Sequence, residues 1–321
     1  TLALIAIDIF APPHHDMSNH VFTPGRCDGG ALYYEGDVPV LTLEGGDPFR
    51  AGKAQGYLCG DGISRITKRF NLVLHTLAGR PRADQLPETM KKLKEQIPER
   101  YLREIEGIVE GYSDWAKEQN WWAFAASLTV DDLLLMHLMP DSIHFKPSRY
   151  EDSVVTETEQ DLKVGCTAIV ETDPEKGVVF ARNMDWPSFG ISGAYSLVIN
   201  RKGSDGHYSS VEVGVPGFAG TLTGMNSEGF SLGMNVCSGE TKEIRGMPAP
   251  FYNRACLESC RSVEEAERFF DSRAPLGDYH LTIADAEKAI SVHFYQAEGD
   301  THSIRRGREG EAQAHGGCCR G

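Results

Sequence analysis

Residues 165–186 read Gly165-Cys166-Thr167-Ala168-Ile169-Val170, then Glu171-Thr172-Asp173-Pro174-Glu175-Lys176-Gly177, then Val178-Val179-Phe180-Ala181-Arg182-Asn183-Met184-Asp185-Trp186. A short apolar run, a turn rich in Asp, Pro and Gly, and a second apolar run form the pattern of an antiparallel hairpin. Such a hairpin returns Arg182 and Asp185 to the cysteine end of the first strand. Cys166 then has a guanidinium and a carboxylate for neighbours, an environment that favours a reactive thiolate.

The rest of the chain must support that hairpin. Its 321 residues are long enough for one large domain or two smaller ones. A formal charge of −14 argues against a nucleic-acid partner, because a phosphate-binding surface needs a basic face. The eight cysteines show no paired metal spacing, and His14, His15 and His20 have no acidic or cysteine partner at fixed spacing, so no metal or other cofactor is expected. Cys256 and Cys260, four apart, read as two half-buried thiols on one helix face. Thr1–Phe10 is apolar without basic residues before it, and reads as a buried strand or as a signal-peptide remnant. That ambiguity leaves the compartment open. No apolar run reaches the length of a membrane span.

Upstream of the hairpin the pattern is mainly helical. Residues 11–30 are turn-rich and read as loop, and Val38–Gly45 alternates like a strand. Asp47 then stands at an N-cap position with Pro48 at the first helical residue, opening a helix expected to continue to about Ala78. Gly52 and Gly56 share a face and permit close packing. Leu86–Lys94 is a short basic helix. Glu99–Gln119 carries Tyr101, Ile105, Ile108, Val109, Tyr112, Trp115 and Ala116 as an apolar stripe. Trp121-Trp122 is an aromatic patch, and Thr129-Val130-Asp131-Asp132 caps a helix over Leu133–Met139. Residues 148–165 are polar and acidic, and read as an exposed processing linker.

From Cys166 onward short strands dominate, expected over 166–171, 178–182, 194–200, 208–214, 218–223, 229–235, 279–285 and 289–295. Two helices interrupt them. One spans Pro250–Cys260, and the other opens at a Ser262/Glu265 capping box and runs to Phe270. Many antiparallel strands with segregated helices define an α+β layered protein rather than a βαβ one.

Gly165-Cys166-Thr167-Ala168-Ile169-Val170 followed by Ala181-Arg182-Asn183-Met184-Asp185-Trp186 resembles the start of a mature N-terminal-nucleophile hydrolase. The group concerned contains choloylglycine hydrolases, acid ceramidase, N-acylethanolamine acid amidase and acyl-coenzyme A:isopenicillin N acyltransferase-like proteins. Gly46-Asp47-Pro48-Phe49-Arg50-Ala51-Gly52 and Glu106-Gly107-Ile108-Val109-Glu110-Gly111 are similar to the acyltransferase-like branch. The resemblance implies a four-layer αββα sandwich and self-cleavage between Gly165 and Cys166. It also implies a helical pro-segment over 1–165 and a catalytic chain over 166–299. The implied catalytic set is Cys166 as nucleophile, Arg182, Asp185 and, from Leu232-Gly233-Met234-Asn235, the oxyanion donor Asn235. Asn226 is read as a turn residue beside Gly229.

The resemblance also implies a second, distal asparagine, yet no asparagine follows Asn253. Residues 300–321 lack apolar periodicity and read as a disordered or non-native tail, so the C-terminal end of the fold is expected to be incomplete. The function that follows is an autoprocessed cysteine amidase acting on a linear N-acyl amide through a thioester on Cys166. An acyltransferase using a thioester donor and an inactive member with a binding role stay open as alternatives. Trp186, Phe189 and Phe218 are candidates for an apolar acyl pocket, with Tyr195 beside them. The expected partners are a small-molecule amide and, after cleavage, the other processed chain; a homo-oligomer is left open.

Overall fold

A computed structural model describes residues 20–67, 86–119, 127–142, 165–173, 175, 177–185, 191–204, 206–236, 244–295, 302–306 and 313–316. The first half contains β1 (Gly25–Cys27), β2 (Gly30–Glu35), β3 (Val38–Leu43), α1 (Pro48–Leu58) and α2 (60–67). It continues with α3 (Leu86–Gln96), α4 (Glu99–Glu118), α5 (Val130–His137) and α6 (Met139–Ser142). The second half begins with β4 (Gly165–Asp173), β5 (Gly177–Asp185), α7 (Ile191–Ala194), β6 (Leu197–Arg201), β7 (Ser210–Gly214), β8 (Thr223–Asn226) and β9 (Ser231–Val236). It ends with α8 (Ala249–Ser259), α9 (Val263–Ser272), β10 (Tyr279–Ala284), β11 (Ala289–Phe294), β12 (His302–Arg306) and β13 (Gln313–Gly316). The α+β class is as expected. Thr1–Phe10, Trp121-Trp122 and the linker before Gly165 lie outside the described residues.

The chain forms two compact units that do not follow the 165/166 boundary. One comprises Thr1–Val73, Pro98–His137 and Pro187–Ser227; the other comprises Leu74–Ile97, Leu138–Trp186 and Glu228–Gly321. In the first unit the strand order is β1-β2-β3-β6-β7-β8. Val40–Leu43 of β3 pairs in parallel with Val198–Arg201 of β6, so strands from either side of Cys166 share one sheet. The loop expected over residues 11–30 holds β1, which pairs with β2.

Helices α1 and α4 of this unit cross at backbone contact. Asp47 caps α1 by accepting from Phe49 N–H at 3.0 Å. A Cβ at Gly52 would sit 2.0 Å from the Glu104 carbonyl oxygen, and one at Gly111 would sit 2.0 Å from that of Lys53. Gly56 and Gly107 are equally tight, so four glycines, two on each helix, make the crossing possible. The first helix ends at Leu58, with helix resuming at 60–67, and beyond 67 the expected continuation is outside the described residues. The apolar stripe of α4 is buried at Tyr101, Ile105, Ile108, Tyr112 and Ala116, whereas Val109 and Trp115 are only half-buried. Thr129 and Asp132 exchange hydrogen bonds at the start of α5, as the capping pattern requires.

Residues 218–223 do not form the expected strand; β8 starts at Thr223. The backbone there is held by side chains instead of a ladder. Phe218 carbonyl accepts from Gln55 Nε2 and Arg201 Nη2, both at 3.3 Å, and Ala219 N–H donates to His137 Nε2 at 2.6 Å. Arg201 in turn pairs with Glu104 at 2.5 Å and Glu212 at 3.3 Å, all three side chains being at most 6% exposed.

The second unit stacks three layers. Its middle layer runs β9-β10-β11-β12, all antiparallel. On one face Leu281, Ile283, Val292 and Phe294 are buried against α8 and α9 in a cluster that includes Tyr252, Phe269 and Phe270. The Ser262 cap on α9 is present, Oγ accepting from Glu265 N–H at 3.3 Å. Cys256 and Cys260 are both buried, with sulfurs 4.0 Å apart. The third layer is the sheet β13-β4-β5, facing β9.

The tail departs from expectation. His302–Arg306 pairs with β11, setting Ile304 opposite Val292, and Gln313–Gly316 pairs with β4. One apolar residue in each short segment is too little for a periodic signal, yet the free edges of β11 and β4 supply the missing half of each ladder. The sheet order thus uses residues beyond 300.

Candidate active site

The hairpin forms as read. Asp173 accepts from Glu175 N–H at 2.8 Å and Gly177 turns the chain at φ +75°, after which β5 runs back along all of β4. Cys166 pairs with Met184, and Ala168 pairs with Arg182. Opposed residues share a face and alternate residues share it too, so Cys166, Ala168, Arg182 and Met184 lie on one side of the hairpin. That side faces β9. The other side shows Ile169 and Val179 to solvent.

Cys166 is 3% exposed. Arg182 Nη2 donates to its sulfur at 3.7 Å. The same nitrogen donates to the Met234 carbonyl, one residue before Asn235. A guanidinium keeps its charge at any relevant pH, so the thiol has a fixed cation beside it in a water-poor setting. Gly233 makes this approach possible: a Cβ there would meet Phe180 Cζ at 2.9 Å and Arg182 Cγ at 3.2 Å. The stem of the arginine therefore crosses β9 where a side chain is missing.

Asn235 is 3% exposed and pairs with His280 on β10. It is two residues from Gly233, hence on the face that looks toward the hairpin. Three of the four catalytic candidates, Cys166, Arg182 and Asn235, are thus brought to the same layer interface. For Asp185 the register gives the position, opposite Gly165, so it stands at the bond proposed for cleavage.

Other candidates fall elsewhere. Trp186 and Phe189 lie outside the described residues. Phe218 belongs to the first unit, 6% exposed and stacked on His137 with ring centroids 4.5 Å apart. Tyr195 is in that unit too, edge-on to Phe22 at 6.1 Å. Asn226 is buried at the end of β8, before the turn in which Gly229 has φ +82°. His20 stacks on Tyr34 and approaches Asp37 at 3.3 Å. Two histidines far away in sequence are brought near the hairpin by strand pairing alone, His280 by its place opposite Asn235 and His315 by its place on β13. The register sets His315 opposite Ala168, at the level of Arg182 but on the other side of β4.

Residues 172–315 match the family described as acyl-coenzyme A:6-aminopenicillanic acid acyl-transferase. The matched stretch includes Arg182, Asp185 and Asn235 and begins after Cys166. The resemblance to the acyltransferase-like branch of the N-terminal-nucleophile hydrolase group is thus borne out over residues 172–315. Among solved structures, an N-acylethanolamine-hydrolyzing acid amidase ortholog from Caenorhabditis elegans is similar at 17% identity and TM-score 0.41, covering 48% of this chain and 71% of that one. Penicillin V acylase from Agrobacterium tumefaciens is similar at 21% identity and TM-score 0.35, covering 46% of this chain and 51% of that one. A mutant of conjugated bile acid hydrolase from Clostridium perfringens gives 16% identity and TM-score 0.33, covering 45% of this chain and 52% of that one. The chain spans about half the length of the latter two. No curated protein sequence gives a significant match. Among the described residues no helix is long and apolar enough to cross a membrane.

Proposed function

We propose that the chain is a self-processing cysteine amidase whose nucleophile is the thiol of Cys166. The observation that carries this reading is the single guanidinium nitrogen of Arg182, which reaches both the Cys166 sulfur and the carbonyl next to Asn235. It joins a nucleophile to a candidate oxyanion donor. Cleavage of Gly165–Cys166 converts the Cys166 amide nitrogen into an α-amine, a group whose ordinary pKa is about 7.7, and this amine takes the thiol proton. The thiolate attacks the amide carbonyl while Asn235 donates to the oxyanion, a contribution of about 3 kcal/mol where such donors have been removed. The leaving amine departs with the proton held by the α-ammonium, giving a thioester. Water, deprotonated by the α-amine, then releases the acid. Asp185, registered opposite Gly165, orients the new α-ammonium.

Cleavage leaves both chains in one unit. The upstream β3 is paired with the downstream β6, and Glu104 is paired with Arg201. The pro-segment therefore stays attached after processing.

A second reading, acyl transfer, is favoured by the description of the matched family. It uses the same thioester, formed from an acyl-coenzyme A and discharged to an amine. Incubating purified protein with an N-acyl amide or an acyl-coenzyme A, with and without an added amine, separates the two. Free acid from the amide supports hydrolysis; a new amide from the thioester supports transfer. Absence of both products, with Cys166 unlabelled by an acyl probe, contradicts either enzyme.

A further inference from the structure

The peptide unit joining Phe218 to Ala219 is held at both ends by buried side chains of the first unit. Its carbonyl accepts from Gln55 Nε2 and Arg201 Nη2, and its N–H donates to Nε2 of His137, a fully buried imidazole. The ring's other nitrogen fixes its protonation state. Nδ1 lies 2.7 Å from the Leu133 carbonyl oxygen, which can only accept, so Nδ1 carries the proton. Nε2 then offers its lone pair to Ala219, and only the neutral imidazole makes both bonds. Phe218 covers the ring face to face, the two planes 3° apart. Gly217 turns the chain inward at φ +81°, where a Cβ would stand 3.3 Å from Ile63 of α2 and from Leu133 of α5. The segment is thus pressed onto α2 and α5, and the side chain that holds its N–H is titratable.

Histidine ordinarily titrates near pH ~6.5. A second proton, on Nε2, would set an N–H against the Ala219 N–H and leave two buried donors facing each other. The charged groups on the surrounding elements have other partners. Arg201 of β6, which holds the carbonyl end of the same peptide, is paired with Glu104 of α4 and Glu212 of β7. Lys53 of α1 pairs with Asp114 of α4, and Asp61 of α2 pairs with Arg65. At the start of α5, Asp132 accepts from Thr129, with Asp131 beside it in the first turn; Asp141 of α6 accepts from Ala249. We propose that His137 is a proton-operated latch on residues 217–221: the neutral ring holds the segment against α2 and α5, and the imidazolium releases it. A proton is taken up on opening, so the closed state loses ground as pH falls below about 6.5. The latch is independent of the chemistry proposed for Cys166.

The test is amide hydrogen exchange of the full chain between pH 8 and 5, read by mass spectrometry and corrected for the intrinsic pH dependence of exchange. In wild type, protection of peptides spanning 217–221 should be constant above about pH 7 and then fall by up to about tenfold per pH unit. Peptides from β10 and β11 should keep theirs. His137→Gln puts a non-titrating amide oxygen within reach of the Ala219 N–H, and its protection should stay flat over the same range. An NMR titration of the wild-type His137 ring should show proton uptake in the pH range where the segment opens. Wild-type protection unchanged down to pH 5 overturns the proposal, as does an equal fall in His137→Gln or a fall shared by β10 and β11. A ring that takes up its proton while 217–221 stays protected overturns it too. If the variant does not fold, the two wild-type measurements decide alone.

Discussion

Arg182 reaches Cys166 diagonally across the β4–β5 ladder, its Nη2 3.7 Å from the sulfur, although the residue paired with Cys166 is Met184. The two positions are joined by the twist and pleat of one hairpin, so the contact survives only if β4 and β5 keep this register. A slip by one residue would send Arg182 to the solvent face.

Replacing Arg182 by Gln removes the cation and keeps a hydrogen-bonding amide. The thiolate of Cys166 then loses its charge partner. Alkylation by iodoacetamide at neutral pH should slow by about tenfold, followed by mass spectrometry of the Cys166 peptide. An unchanged rate contradicts the pairing.

Gly233→Ala places a methyl 2.9 Å from Phe180 Cζ and 3.2 Å from Arg182 Cγ. Overpacking of this kind destabilises by about 1–3 kcal/mol, and here the displaced group is the arginine stem. Acylation should fall with little change in fold. At Gly229, φ +82° with open space around the Cβ position, Ala should strain the turn by about 1–2 kcal/mol and leave acylation near wild type. Denaturant titration and acylation rates on both variants separate the effects.

Arg201 is buried between Glu104 and Glu212, which come from α4 and β7. Removing one member of a buried ion group strands the rest, at about 3–5 kcal/mol. Arg201→Met should therefore lose most of the stability of the first unit, read by urea denaturation. A loss under about 1 kcal/mol would show that solvent reaches the triad.

Asp141 in α6 accepts from the Ala249 N–H at the start of α8, at 3.1 and 3.3 Å. Burial pushes its carboxyl up to about 8, and that N–H pulls it partly back. Its folded-state value is raised above the unfolded value of about 3.9, so between those limits the native state keeps a proton that the unfolded chain releases. The stability it contributes is complete below about pH 4 and is lost as pH rises toward 8, by up to about 1.4 kcal/mol per pH unit. Asp141→Asn should thus gain on wild type steadily from pH 5 to 8 and hold its lead above. A constant difference across that range contradicts the assignment.

Much of this could be read from residues alone. The hairpin was legible because apolar runs flank an Asp-Pro-Glu-Lys-Gly turn, and the Ser262 and Asp47 caps because capping is local chemistry. What stayed hidden depends on contacts across long stretches of chain. Glu104 and Arg201 are 97 residues apart, and nothing in either neighbourhood marks the pair. Gly52 and Gly56 could be read as a close-packing face, but their counterparts Gly107 and Gly111 declare themselves only once α4 crosses α1. Phe218–Thr223 has strand-like composition, yet Gln55, His137 and Arg201 capture its backbone. His280 and His293 become neighbours through register, and β12 and β13 form because two strand edges await them.

A Cys166 α-amine can exist only if the protein itself cuts Gly165–Cys166. Intact-mass and N-terminal analysis of purified wild type beside Cys166→Ala measures this directly. Two chains are expected in wild type, the second beginning at Cys166, and one uncut chain in the variant. A single uncut chain in both contradicts self-processing.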